Sequence, residues 1–211
     1  MGDAVRREEE PLHASVPPVV APVDPELRAA PRFTLLIRAA KLSTPVGEFL
    51  CVIRDASESG ISARVFHPLP AFAGMAIELQ NGDRYGVEKV WQEEDRAGFR
   101  FTGPVDISRI IESPSRFAKR GIRLNLSAPA TVSSLGGKEE VTIVDLSQQG
   151  AKIACTCRFA LDQRVTISAK GLPETRAKVR WRAEGTAGLA FEDTLQFGEL
   201  ARIARQLQGS D

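Results

Sequence analysis

Val141-Thr-Ile-Val-Asp145-Leu-Ser147-Gln-Gln-Gly150-Ala-Lys-Ile153 is an extended apolar run that passes through an acid-x-hydroxyl-x-x-glycine step and leaves as a second extended run. The pattern reads as two strands joined by a short polar turn. Ninety residues earlier, Cys51-Val-Ile-Arg-Asp55-Ala-Ser57-Glu-Ser-Gly60-Ile-Ser-Ala63 carries the same Asp, Ser and Gly at the same spacing. Trp91, Gly98 and Phe101 recur as Trp181, Gly188 and Phe191 at that offset. A repeat of this length divides a 211-residue chain into two small units, each with a modest core.

Composition narrows the class further. With 43% hydrophobic and 26% charged residues the chain reads as a globular protein, and 6% aromatics predict aliphatic cores. A formal net charge of +1 supplies no overall field for holding duplex DNA, whereas a small anion needs only a local cluster of cations. Cys51, Cys155 and Cys157 form no even disulfide framework and lack zinc-ligand spacing, so a reduced cytoplasmic setting is expected and no metal. Cys155 and Cys157, two apart in an apparent strand, read as small buried hydrophobes on one face. No apolar run approaches the roughly 20 residues of a membrane span, and the acidic, polar start at Met1 to Glu10 is no export signal.

Residues 1–26, rich in charge and then in proline, read as a disordered leader. Two units are expected after it, over 27–112 and 115–208. In the first, extended runs at 34–42, 48–54, 61–66, 75–79, 86–91 and 97–101 are separated by turns at Thr44-Pro-Val-Gly47, His67-Pro-Leu-Pro70 and Asn81-Gly82. A short helix through Ile107, Ile110 and Ile111 follows, with Asp106 as its cap. In the second, runs at 122–127, 140–145, 150–157, 164–169, 175–182 and 186–191 precede an amphipathic helix through Leu195, Leu200, Ile203 and Leu207, capped by Thr194 and covering its own barrel. Short strands at this rhythm indicate an all-β sandwich or barrel.

In front of each first strand stand two arginines four apart, Arg28 and Arg32, then Arg116 and Arg120 with Lys119 beside them. Their offset is 88 rather than 90, a difference expected to be absorbed in the glycine turn at Gly136-Gly137. A guanidinium pairs with phosphate oxygens or with guanine O6 and N7, and its flat face stacks on a base. Asp145 and Ser147, two apart on an extended segment, offer a carboxylate acceptor and a hydroxyl on one side. Gly150 either takes a positive φ or admits a ligand close to the backbone. Singly, such an acid-hydroxyl-glycine step usually satisfies only turn backbone, and spaced arginines usually line a solvated face. The ordered combination, repeated, points to a ligand bearing guanine edges and phosphates. Trp91 and Trp181, beside Val90 and Val179, read as barrel-core residues rather than stacking platforms.

The paired arginines, a gap of 22 or 24 residues, Asp-x-Ser-x-x-Gly, Val179-Arg-Trp181 and Gly188 to Phe191 together resemble the PilZ domain family, twice in tandem. That resemblance implies two six-stranded antiparallel β-barrels, each followed by a helix. It also implies a non-catalytic receptor for the bacterial second messenger cyclic di-GMP. Carried over residue by residue, Arg116, Arg120, Asp145, Ser147 and Gly150 form the stronger site, with Lys119 as supporting charge. Arg28, Arg32, Asp55, Ser57 and Gly60 form the weaker one, where Pro31 restricts the arm.

No cofactor is implied beyond that ligand. The expected partner is a protein of motility, secretion or polysaccharide synthesis, with neither DNA nor membrane bound. A second reading is a degenerate interaction module that binds such a protein without nucleotide. The chain offers no nucleophile-base pair, histidine cluster or glycine-rich phosphate loop, so no enzyme is expected.

Overall fold

The computed structural model describes residues 33–69, 73–112, 121–156 and 159–209. The first unit contains β1 (Phe33–Thr44), β2 (Gly47–Ser57), β3 (Gly60–Val65), β4 (Met75–Leu79), β5 (Arg84–Glu93), β6 (Arg96–Phe101) and α1 (Ile107–Glu112). The second repeats the order with β7 (Arg123–Ser134), β8 (Gly137–Ser147), β9 (Gly150–Ala154), β10 (Arg164–Ala169), β11 (Leu172–Ala183), β12 (Thr186–Phe191) and α2 (Phe197–Leu207). Each set of six strands closes on itself, in the orders β1-β2-β3-β6-β5-β4 and β7-β8-β9-β12-β11-β10. These are the two expected antiparallel barrels. Closure pairs the outermost strands, β1 with β4 and β7 with β10, and so leaves no open sheet edge.

Alternation fills the interiors. Ile61, Ala63 and Val65 point inward from β3, and Leu42, Ile53, Ile77 and Phe99 complete the first core. The second gathers Leu124, Ile143, Ile153, Ile167 and Val179, an aliphatic filling in keeping with the low aromatic content. Cys51 is fully buried, and burial pushes its thiol up to about 12, which leaves it inert as a nucleophile. Cys155 is half-buried against the second core, and Cys157 lies outside the described residues.

Two local expectations are corrected. The turns Thr44–Gly47 and Ser134–Gly137 have equal length, and β1 and β7 begin ninety residues apart. The two-residue difference between the arginine pairs is therefore Gly121-Ile122, inserted between the second pair and its strand. The cap of α2 is Gln196, whose N–H donates to Glu199 Oε2 at 3.3 Å, rather than Thr194. The chain is still tied to the barrel at Leu195, whose N–H donates to the Gln148 carbonyl at 2.9 Å, so it cannot turn into the helix earlier. Asp106 does cap α1, with Oδ1 accepting from the Ser108 N–H at 3.0 Å.

The barrels dock through β2 on one side and β7 with α2 on the other. Leu50 of β2 is 1% exposed and packs in the core of the second barrel, a burial that contributes about 2 kcal/mol. The Gln208 amide follows α2 and pairs with the Glu48 backbone, accepting its N–H at 2.8 Å and donating to its carbonyl at 2.9 Å. The Glu48 carboxylate accepts from the Asn125 N–H at 2.7 Å and pairs with buried Lys41 at 3.1 Å. Phe66 meets Phe197 edge-on at 5.7 Å between centroids. Thus α2 covers its own barrel, with Leu200, Ala201, Ile203, Ala204 and Leu207 buried, while its end grips the other.

His67 is buried at this level of the first barrel, edge-on to Phe49 at 4.8 Å, with Nδ1 donating to the Pro68 carbonyl at 3.0 Å. Burial holds its pKa below the usual 6.5, so the unfolded chain takes up that proton more readily than the folded one. The resulting stability is complete above pH 6.5 and declines as pH falls through that value. Thermal unfolding followed from about pH 7.5 to about pH 5.5 should show the decline, and His67→Gln should remove this part of it.

Candidate ligand-binding site

The acid-hydroxyl-glycine step ends β8 and starts β9, and its parts have separate duties. The Ser147 hydroxyl is buried and donates to the Gly150 carbonyl at 3.1 Å, closing the turn. Ser57 does the same to Gly60 at 3.2 Å. Neither glycine has a positive φ, and neither leaves room for a ligand. A Cβ on Gly150 would lie 2.0 Å from the Leu189 carbonyl oxygen, and one on Gly60 would lie 2.1 Å from that of Phe99. What approaches the glycine is the neighbouring strand of the same barrel.

The aspartates are left facing outward. Asp145 Oδ1 accepts from Arg123 Nη1 at 2.6 Å, and Asp55 Oδ2 accepts from the Ser62 hydroxyl at 2.7 Å. Register then carries the geometry across the sheet. Asn125, Asp145, Lys152, Gly188 and Trp181 are successive partners on β7, β8, β9, β12 and β11. The first barrel has the matching row Thr34, Asp55, Ser62, Gly98 and Trp91. Each tryptophan lies over the glycine beside it, so that a Cβ at Gly188 or Gly98 would meet the indole Nε1 at 2.1 Å. This corrects the core assignment, because Trp181 is 42% and Trp91 39% exposed. The cause is a register shift between Val179 and Trp181, and between Lys89 and Trp91. An extra residue in a strand turns the next side chain to the opposite face.

Around this shared frame the barrels differ. In the first, Asp55, Ser59, Ser62, Trp91, Gly98 and Arg100 border a cleft of about 250 Å³, and Arg100 is paired with Glu88 at 2.9 Å. In the second, cations stand at Arg123, Lys152 and Arg180, where the ninety-residue offset gives Phe33, Ser62 and Val90 in the first. Arg180 is paired with Asp162 at 3.1 Å. Arg123, the partner of Asp145, is the residue that the motifs do not include. Its signal was a third arginine three residues after Arg120, at the position where the strand begins. Arg28, Arg32, Arg116, Lys119 and Arg120 lie outside the described residues, so the structure presents one wall of each proposed site. Among the described residues no cluster of His, Cys, Asp or Glu could hold a metal ion.

Each closed six-stranded barrel thus presents an acid and an indole on one outer row. Residues 114–209 match the PilZ domain family, which covers the second barrel, its helix and the arginine pair before it. That match spans somewhat less than half of the chain. Among solved structures, Borreliella burgdorferi PlzA in complex with c-di-GMP is 14% identical, with 80% of this chain and 87% of that chain covered at a TM-score of 0.34. The Bacillus subtilis inhibitor of motility, MotI/DgrA, is 11% identical, with 83% and 97% covered at 0.36. Escherichia coli YcgR in complex with c-di-GMP is 13% identical, with 81% and 80% covered at 0.28. Likenesses at these TM-scores define neither a ligand nor a barrel arrangement for this chain. No curated protein matches the sequence significantly.

Replacing Gly150 by Ala should force β12 away from β9, because the added methyl meets a backbone carbonyl, and should cost about 2–3 kcal/mol of stability. Gly136→Ala, whose methyl would touch only Ser134 Oγ at 3.6 Å, should stay within about 0.5 kcal/mol of the parent. Urea unfolding of the two variants makes the comparison.

Proposed function

We propose that the chain is a non-catalytic receptor for cyclic di-GMP and that the second barrel holds the principal site. The observation that carries this reading is the row joining Asp145 to an exposed Trp181 within the segment that matches the PilZ family. A guanine stacked on the indole and a carboxylate accepting its N–H groups would use both ends of that row. Arg116 and Arg120, with Lys119, would pair with the phosphodiesters from the segment that joins the barrels. Ser147 and Gly150 would support the site by closing the turn and setting the strand spacing. Asp55, Ser57 and Gly60, with Arg28 and Arg32, would form the weaker site in the first barrel.

Arg123 occupies Asp145 when no ligand is present. With the arginine side chain 57% exposed, that pair is worth less than about 1 kcal/mol, so a ligand N–H can displace it cheaply. The junction supports a relay. Asn125 belongs to the same row and holds Glu48 of the first barrel, so a ligand that shifts the start of β7 would be felt across the interface or by a protein partner docked on it.

A second reading has its own support. Asp145, Ser147, Asp55 and Ser57 all have partners within the chain, as a degenerate module that binds only protein would. Calorimetric titration separates the two. Cyclic di-GMP should bind the parent at micromolar concentration or below while GTP and cyclic di-AMP do not, and absence of heat and of thermal shift would reject the receptor reading. Arg120→Ala should cost about 2–4 kcal/mol of binding, a loss of thirtyfold or more, and Arg32→Ala much less. Equal losses from the two variants would refute the ranking of the sites.

A further inference from the structure

The two barrels serve as each other's control. They share Asp, Ser, Gly, Trp and Gly at corresponding positions and hold the aspartate, the tryptophan and the glycine beneath it in the same cross-strand row, so differences within that row are differences in what each row can bind. The position between the aspartate and the glycine under the indole is Lys152 in the second barrel and Ser62 in the first.

Neighbouring strands run about 4.8 Å apart, so the path along the sheet from Asp145 to Trp181, three strands away, is about 14 Å. The indole leans over Gly188 toward β9 and covers part of that span. Any ligand that touches both the ring and the carboxylate must therefore pass over residue 152. Ala151 and Ile153 are buried in the core, so the Lys152 side chain is directed outward into this path. Without ligand, Arg123 and Arg180 are paired with Asp145 and Asp162, whereas Lys152 has no carboxylate partner among the described residues. In the first barrel the same place holds a hydroxyl already donated to Asp55.

We infer that Lys152 is a ligand-facing cation that pairs with a phosphate of the dinucleotide midway along the row, and that it is the specificity-determining difference that directs the anionic ligand to the second barrel. This rests on the nucleotide reading of that barrel. A compact ammonium on a flexible stem suits an anion that arrives with the ligand, and a serine cannot replace the charge.

The test is calorimetric titration of the full chain with cyclic di-GMP, comparing the parent, Lys152→Ser and Lys152→Arg at two salt concentrations. Lys152→Ser installs the residue that the first barrel carries. It should weaken binding about tenfold or more and make the remaining affinity less sensitive to salt, with an unchanged unfolding midpoint, while Lys152→Arg restores most of the affinity. Lys152→Ser binding within about twofold of the parent, or a loss that Lys152→Arg fails to restore, overturns the inference and leaves the receptor reading standing. A parent that binds no cyclic di-GMP overturns both.

Discussion

The outer face of each barrel depends on a backbone approach that only glycine permits. Gly150 lies so near the Leu189 carbonyl, and Gly60 so near that of Phe99, that any side chain would drive the strands apart. With β9 held against β12 at that level, the hydrogen-bond register leaves little freedom. A slip of one residue would send Ala151 and Ile153 outward and Lys152 into the core. The glycine of the motif therefore acts on the site at one remove. It fixes which residues stand in one row, and the row then sets aspartate and lysine on adjacent strands and tryptophan two strands beyond the lysine.

The same register connects the site to the rest of the molecule. Asn125 closes the row on β7, and its backbone and side-chain amides both donate to Glu48 of the first barrel. Glu48 is held in turn by Lys41 through its carboxylate and by Gln208 through its backbone. Gly47 makes room for that amide, since a Cβ there would fall 2.2 Å from Gln208 Oε1. Leu50 adds apolar burial to these polar contacts. The barrels are thus joined by an interface that begins at Asn125, on the strand next to Asp145.

Much of the fold was legible because the signals are local. Alternation in Ile61, Ala63 and Val65, the turns at Thr44–Gly47 and Asn81-Gly82, and the Asp106 cap each depend on a few consecutive residues. The site was legible only in part. Asp145, Ser147 and Gly150 were picked out as a set, yet the serine and glycine serve the turn and the strand contact, and Arg123 was passed over as one polar residue in an alternating strand. The tryptophans were assigned to the core because Val179 and Trp181 are two apart, which in a regular strand means one face. The register shift between them reverses that rule, and nothing in the flanking residues announces it.

The amino-acid sequence by itself determined that there are two barrels of the same plan, where their strands and helices fall, and which residue types recur at equivalent positions. These follow from periodicity and repetition, which are properties of the linear chain. Only the tertiary structure decided that Asp145, Lys152 and Trp181 share a row, that Arg123 rather than solvent meets Asp145, and that Glu48 and Leu50 belong to the second barrel's surroundings as much as to the first. Those relations depend on register, bulges and barrel closure, which bring together residues tens of positions apart and cannot be read from any short stretch of chain.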